Sequence, residues 1–100
     1  MRDQPYYGLK TVKFLVSSNR CIINQKARDT ASKCFGWKKA DIEKALLKLQ
    51  PKHFHKSDHK YDDPSIHVDY YKARGLMGEN VYIHFRIEDD YLIICSFKEV

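Results

Sequence analysis

The chain has 100 residues, 43% hydrophobic and 31% charged, with a formal net charge of +5. A domain of this length buries roughly two-thirds of the surface that its unfolded chain exposes, so residues 1–100 are expected to fold as one domain without a structural metal or disulfide. There is no run of about 18 apolar residues and no apolar signal core after Met1-Arg2-Asp3-Gln4-Pro5, so the expectation is a cytoplasmic protein, neither exported nor membrane-embedded.

The positive charge is uneven: residues 1–50 hold 11 Lys/Arg against 4 Asp/Glu, and residues 51–100 hold 7 against 9. A basic field suits an anionic partner, either nucleic acid or an acidic protein, although solvated helix faces produce the same composition. Cys21, Cys34 and Cys95 are odd in number and lack CxxC spacing, so they read as small buried hydrophobes in a reducing compartment.

After a polar lead-in over residues 1–8, Leu9, Val12, Leu15 and Val16 recur at helical spacing up to Ser17-Ser18-Asn19. Cys21-Ile22-Ile23 is short and β-prone. Asn24 is positioned to cap a second helix over 25–35, which is expected to bury Ala27, Ala31 and Cys34 and to stop at Gly36. A third helix over 38–49 sets Ile42, Ala45, Leu46 and Leu49 on one stripe and is ended by Pro51. Strand patterns follow over 55–61 and 66–74, with turns at Asp62-Asp63-Pro64 and over 75–78. Helices first and strands afterwards predict an α+β fold, with the three helices on one face of a mainly antiparallel sheet whose other face stays open.

The final hairpin has a register that follows from the letters. Val81, Ile83, Phe85 and Ile87 alternate with Tyr82, His84, Arg86 and Glu88, so the odd positions face the core. In the second arm Ser96 and Lys98 mark the even face as polar, which assigns Ile93, Cys95 and Phe97 to the core. Odd then faces odd, a parity that excludes a two-residue turn and predicts a three-residue one at Asp89-Asp90-Tyr91. The same register sets Tyr82 opposite Lys98 and His84 opposite Ser96.

Lys56, Lys72, Arg74 and Lys98 mark strand ends, while Glu88, Asp89 and Asp90 gather at the hairpin tip, away from Tyr82 and Lys98. Phosphodiester cleavage needs a base, an acid and cations around the phosphorane, roles that Lys, Tyr and Arg fill when their pKa values are tuned. His84, two residues from Tyr82 and on its face, is a further candidate. His53, His55 and His59 lie close in sequence, but no Cys or carboxylate completes a metal-ligand set with them, and no cofactor is expected. Gly-rich phosphate loops, GxSxG and HExxH are absent.

The segments His53-Phe54-His55-Lys56-Ser57, Tyr61, residues 65–74, Val81-Tyr82-Ile83 and Ser96-Phe97-Lys98-Glu99 together resemble the MqsR family of type II toxins. The likeness is specific from about Leu49 onward and looser in the helices. It implies a RelE-like fold and a ribosome-independent mRNA interferase that cuts at GC-starting trinucleotides such as GCU and GCA. The implied partner is an antitoxin of the MqsA kind, which joins a zinc-bearing domain to a helix-turn-helix reader, so that DNA contact would be indirect. By the same resemblance Lys56, Tyr82 and Lys98 are catalytic and Arg74 is the family's strand arginine; Arg74, with Lys72, His55, His67 and His84, is expected to bind substrate. Val68 stands where the family has glutamine, His67 where it has tryptophan, and His55 where it has tyrosine. That vacancy keeps open a non-catalytic RNA-binding or co-repressor role.

Overall fold

The computed structural model describes residues 4–100, so the beginning of the expected lead-in, Met1 to Asp3, lies outside the described residues. Helix α1 (Leu9–Ser17) turns Val12, Leu15 and Val16 inward, as its spacing predicts. Strand β1 (Cys21–Ile23) buries Cys21 and Ile23 and exposes Ile22. Helix α2 (Gln25–Phe35) stops at Gly36, whose φ of 71° is the left-handed conformation that turns the next N–H, of Trp37, back to the Ala31 carbonyl at 3.3 Å. Asn24 holds the N-cap position without a side-chain bond; its N–H instead donates to the Ile94 carbonyl at 3.0 Å, tying the helix start to the sheet.

Helix α3 (Lys39–Leu47) begins where the Asp41 carboxylate accepts the Lys38 N–H at 3.0 Å. It is shorter than the expected 38–49: Lys48 is its C-cap, and Leu49 reaches the core from beyond it. Cys34 is exposed, contrary to expectation. The inward place in that last turn is taken by Phe35, which packs on Trp37 and Phe97. Of the three cysteines, then, only Cys21 is buried and Cys95 is half-buried.

Strands β2 (Phe54–Lys60), β3 (Asp63–Leu76), β4 (Glu79–Glu88) and β5 (Tyr91–Glu99) complete a five-stranded sheet in the order β1-β5-β4-β3-β2. Every pairing is antiparallel except that of β1 with β5. The α+β class with three helices and a mainly antiparallel sheet is therefore as expected. β3 is longer than the predicted 66–74 and turns into β4 through Met77 and Gly78, both at positive φ.

The hairpin corrects the parity argument. Glu88 pairs with Tyr91, leaving a two-residue turn of Asp89 and Asp90 with φ of 50° and 64°, the conformation of a type I′ turn. Tyr82 does face Lys98 and His84 does face Ser96, but Phe85 pairs with Ile94, so Cys95 is the extra residue of a β-bulge. The bulge flips the inward set of β5, which is Leu92 and Ile94 before it and Phe97 after it. Ile93 and Cys95, expected in the core, are only half-buried. Because 92–95 is uninterrupted apolar sequence, its letters carry no mark of the slip.

The buried side chains of the helices and of the odd-numbered face of β3 and β4 form one cluster, with Tyr71, Ile83, Phe85 and Phe97 among its largest members. β1 covers β5 only at Leu92, Ile93 and Ile94; further along, the Thr30 hydroxyl donates to the Phe97 carbonyl at 2.7 Å, so α2 lies along that stretch of β5. No helix among the described residues is long and apolar enough to cross a membrane.

The segment before α1 is anchored by a buried charge. Asp69 is fully buried, and its carboxylate accepts the N–H groups of Tyr6 at 3.0 Å and Tyr7 at 2.9 Å, while the Tyr7 hydroxyl donates to the His67 carbonyl at 2.7 Å. Bonds to an ionised acceptor are stronger than neutral ones. Asp69→Ala is expected to lower unfolding free energy by about 3 kcal/mol in urea titration, by orphaning two amides; an unchanged midpoint would show that water satisfies them equally well.

Candidate active site

The open face of the sheet carries the even-numbered residues of β3 and β4, and pairing aligns them in two adjacent rungs. In one, Lys56 faces Tyr70, Tyr70 faces His84, and His84 faces Ser96. In the other, Lys72 faces Tyr82 and Tyr82 faces Lys98. A β-bulge at His55 makes the first rung possible: Phe54 pairs with Tyr71 on the core side, and the extra residue returns Lys56 to the open side.

Three rings form the floor. Tyr70 stacks on His84 with centroids 4.9 Å apart, and Tyr82 lies 6.3 Å from Tyr70 and 6.1 Å from His84. An ammonium sits over each phenol, with Lys56 Nζ 4.7 Å from the Tyr70 ring and Lys98 Nζ 5.4 Å from the Tyr82 ring. Such contacts contribute about 0.5–1 kcal/mol when exposed, enough to bias two flexible side chains toward one place.

These surroundings tune the titrating groups. Burial, and then the positive charges of Lys98, Arg86 and Lys56, hold the His84 imidazole below its ordinary value. It is therefore neutral at pH 7, with one nitrogen free to accept a proton, and its buried Nδ1 has no protein hydrogen-bond partner among the described residues. Burial raises the Tyr82 phenol, and burial followed by the neighbouring Tyr82, Asp58 and Cys95 raises Tyr70. Both phenols keep their protons through neutral pH and can donate them.

The remaining predicted residues divide. His55 stands at the bulge, exposed, with its imidazole lowered by desolvation and then by Lys72 and Lys56. Arg74 and Lys72 line a basic recess of about 370 Å³ with Lys52 and His53, beside the rungs. His67 is not brought to this face: it shares the other one with Asp69 and Tyr71, with its ring stacked 3.6 Å from that of Tyr6. Val68, in the place of the expected glutamine, does lie on the open side, and is buried there.

Two contributors escaped the sequence reading. Tyr70 was recoverable, since it shares parity with Lys72 and Arg74. Lys26 was not: it joins a cavity of about 210 Å³ with His84, Ser96 and Lys98 only because α2 docks along β5. Of the histidine cluster, His53 is buried with its Nδ1 accepting the Gln50 N–H at 3.0 Å, and among the described residues no group of three or more His, Cys, Asp or Glu is placed to hold a metal ion.

Two cations, two phenols and a neutral imidazole on one open face can bind a phosphodiester and move protons at it. A family model described as "Motility quorum-sensing regulator, toxin of MqsA" matches residues 4–99. The chain belongs to the MqsR toxin family. It is thus the toxin of a toxin–antitoxin pair, in a family of generally mRNA-cleaving toxins, with an antitoxin of the MqsA kind as partner. No curated protein matches it.

In this MqsR-family toxin the lowered His84 value sets a sign for pH dependence. The folded state binds fewer protons at His84 than the unfolded chain, so its contribution to stability is present above about pH 6.5 and is lost as pH falls toward the folded pKa. NMR titration should place His84 below 6.5, and Lys98→Met should move it upward; a midpoint unmoved by that substitution would remove Lys98 from the imidazole's surroundings.

Proposed function

We propose that this MqsR-family toxin is a ribosome-independent, metal-independent endoribonuclease that cuts mRNA at GC-starting trinucleotides such as GCU and GCA, arresting translation and growth in the cytoplasm. The observation that carries this reading is the convergence of Lys56, Tyr82 and Lys98, from three strands, around a neutral His84 on the open face.

The chemistry follows from protonation states. The substrate 2′-OH gives its proton to the imidazole of His84 while its oxygen bonds to phosphorus; the bond from phosphorus to the 5′ oxygen breaks, and Tyr82 supplies the proton to the leaving oxygen. Lys56 and Lys98 balance the charge that builds on the phosphorane oxygens. The products are a 2′,3′-cyclic phosphate and a 5′-OH. Lys72 and Arg74 extend the cationic surface for the flanking backbone, and the exposed His55 borders it.

Lys56→Ala, Tyr82→Phe and Lys98→Ala should each lower cleavage of a mixed-sequence RNA by about 10²–10³, with thermal midpoints nearly unchanged because exposed and half-exposed groups contribute little stability. The assay is run in EDTA. Loss of wild-type cutting that zinc restores would shift the mechanism to a metal. Retention of RNA without cutting would favour the binding or co-repressor role, a reading that Val68 in the glutamine's place supports.

For the antitoxin, an MqsA-like protein with a zinc-bearing domain and a helix-turn-helix, we favour capture of a sheet edge over plugging of the open face. β1 and β2 are the outer strands of the sheet, and edge pairing draws affinity from main-chain groups that side-chain substitutions leave intact. Replacing Lys56, Tyr82 and Lys98 together by Ala should abolish cutting yet keep antitoxin affinity within about tenfold, roughly 1.4 kcal/mol. A calorimetric loss of several further decades would put the antitoxin on the active face itself.

A further inference from the structure

The open face divides by charge on either side of the Tyr70–His84 stack. On one side are Lys72, Lys98 and, from α2, Lys26, with Lys56 at the end of the stack's own rung, none of them ion-paired among the described residues. On the other side the cations are neutralised: Lys60 lies 3.5 Å from Asp62, and Arg86 Nε lies 3.0 Å from Glu88. On this side is a recess of about 240 Å³ lined by Lys60 and Arg86 together with Tyr61, Val68, Tyr70, His84 and Cys95.

The character of this recess differs from that of a phosphate site. Val68 lines it with Tyr70 and His84, whose rings stack on each other, and Tyr61 stands fully exposed at its rim, free to close over a flat ligand. Each of its two cations, Lys60 and Arg86, has a carboxylate beside it, which reduces the net attraction for an anion. Arg86 is also fixed: Nε faces Glu88, and Nη1 donates to Cys95 Sγ at 2.9 Å. Among the described residues Nε itself has no hydrogen-bond partner, so a guanidinium placed by one ion pair and one hydrogen bond keeps donors to offer in a set direction. The volume is below the roughly 300–1,000 Å³ of sites for drug-sized ligands, so it suits a single ring system.

We propose that this recess is a nucleobase subsite, taking one base of the RNA strand whose phosphate rests among Lys56, Lys98 and Tyr82. The base stacks on aromatic surface, as single-stranded bases do, and turns a hydrogen-bond acceptor edge toward Arg86, the donor that most often reads the O6 and N7 of guanine. The proposal rests on the RNA reading of the face and adds to it a source of sequence selection. Val68 is central here: a glutamine at that position would put a polar amide into the recess, whereas valine keeps it apolar.

A non-cleavable 2′-O-methyl GCU trinucleotide, and three versions each lacking one base, are titrated against the wild-type protein, Val68→Phe and Tyr61→Ala. In the wild type, removal of one particular base should weaken binding at least tenfold, about 1.4 kcal/mol. Val68→Phe, which fills the recess, should bind intact GCU as weakly as the wild type binds that abasic version, with no further loss when the base is removed. Tyr61→Ala changes a fully exposed side chain and so preserves the fold; it should shrink the same base dependence. Equal wild-type affinity for all four probes, no binding at all, or base dependence undiminished in both variants would each overturn the subsite. The cleavage reading fails separately, if the wild type distinguishes the bases in this titration but leaves the all-ribose GCU uncut.

Discussion

Everything on the active face depends on the register between β4 and β5. Side chains alternate with a period of two, so a slip of one residue would carry Lys98 to the core side and Phe97 into water. Near the tip the strands are out of step with what the active face needs: the tight Asp89-Asp90 turn enforces an odd sum between partners, whereas the Tyr82 and Lys98 pair requires an even one. The extra residue at Cys95 absorbs that difference. A bulge at His55 does the same for Lys56 on the other flank. Two insertions of one residue each therefore decide which side chains stand on the open face, in keeping with the tendency of bulges to re-aim side chains.

Once the register holds, the packing below the face sets the chemistry above it. Phe85, Ile83 and Tyr71 fill the core side, which makes β4 a rigid central strand and leaves Tyr82 and His84 half-buried on its other side. Half-burial is the useful condition. It withdraws enough water to keep the imidazole neutral beside the cations of Lys98, Arg86 and Lys56 and to keep the phenols protonated, while leaving a face that a nucleic acid strand can reach. Lysines over phenols add position to charge, since the ring quadrupole draws the ammonium to one place without neutralising it, as a carboxylate would.

The opposite face of β3 serves a different purpose. There His67 and Asp69 receive Tyr6 and Tyr7, fastening the segment ahead of α1 to the sheet through a buried carboxylate. One strand thus holds an internal anchor with its odd positions and presents Tyr70 and Lys72 on the open face with its even ones. A substitution at 67 or 69 is read as a stability change and one at 70 or 72 as a functional change, although the four are near neighbours.

The α+β order, the three helices, the outward face of β4, the meeting of Tyr82 with Lys98 and, through the residues from His53 onward, the family were all legible in the letters. These are local or pairwise properties: an alternation, a helical stripe, a motif, each readable over a few residues because backbone geometry repeats with a fixed period. The bulge at Cys95 is settled by packing, since an unbroken apolar run looks the same in either phase, and the expected parity therefore holds from Val81 to His84 and fails only between the bulge and the tip. The tertiary structure also decided that Cys34 gives way to Phe35, that His67 belongs to the anchor and not to the active face, and that Lys26 joins His84. Each of these turns on which of two chemically acceptable side chains faces a partner distant in the chain. That choice is made by the packing of helix on strand, and no local pattern encodes it.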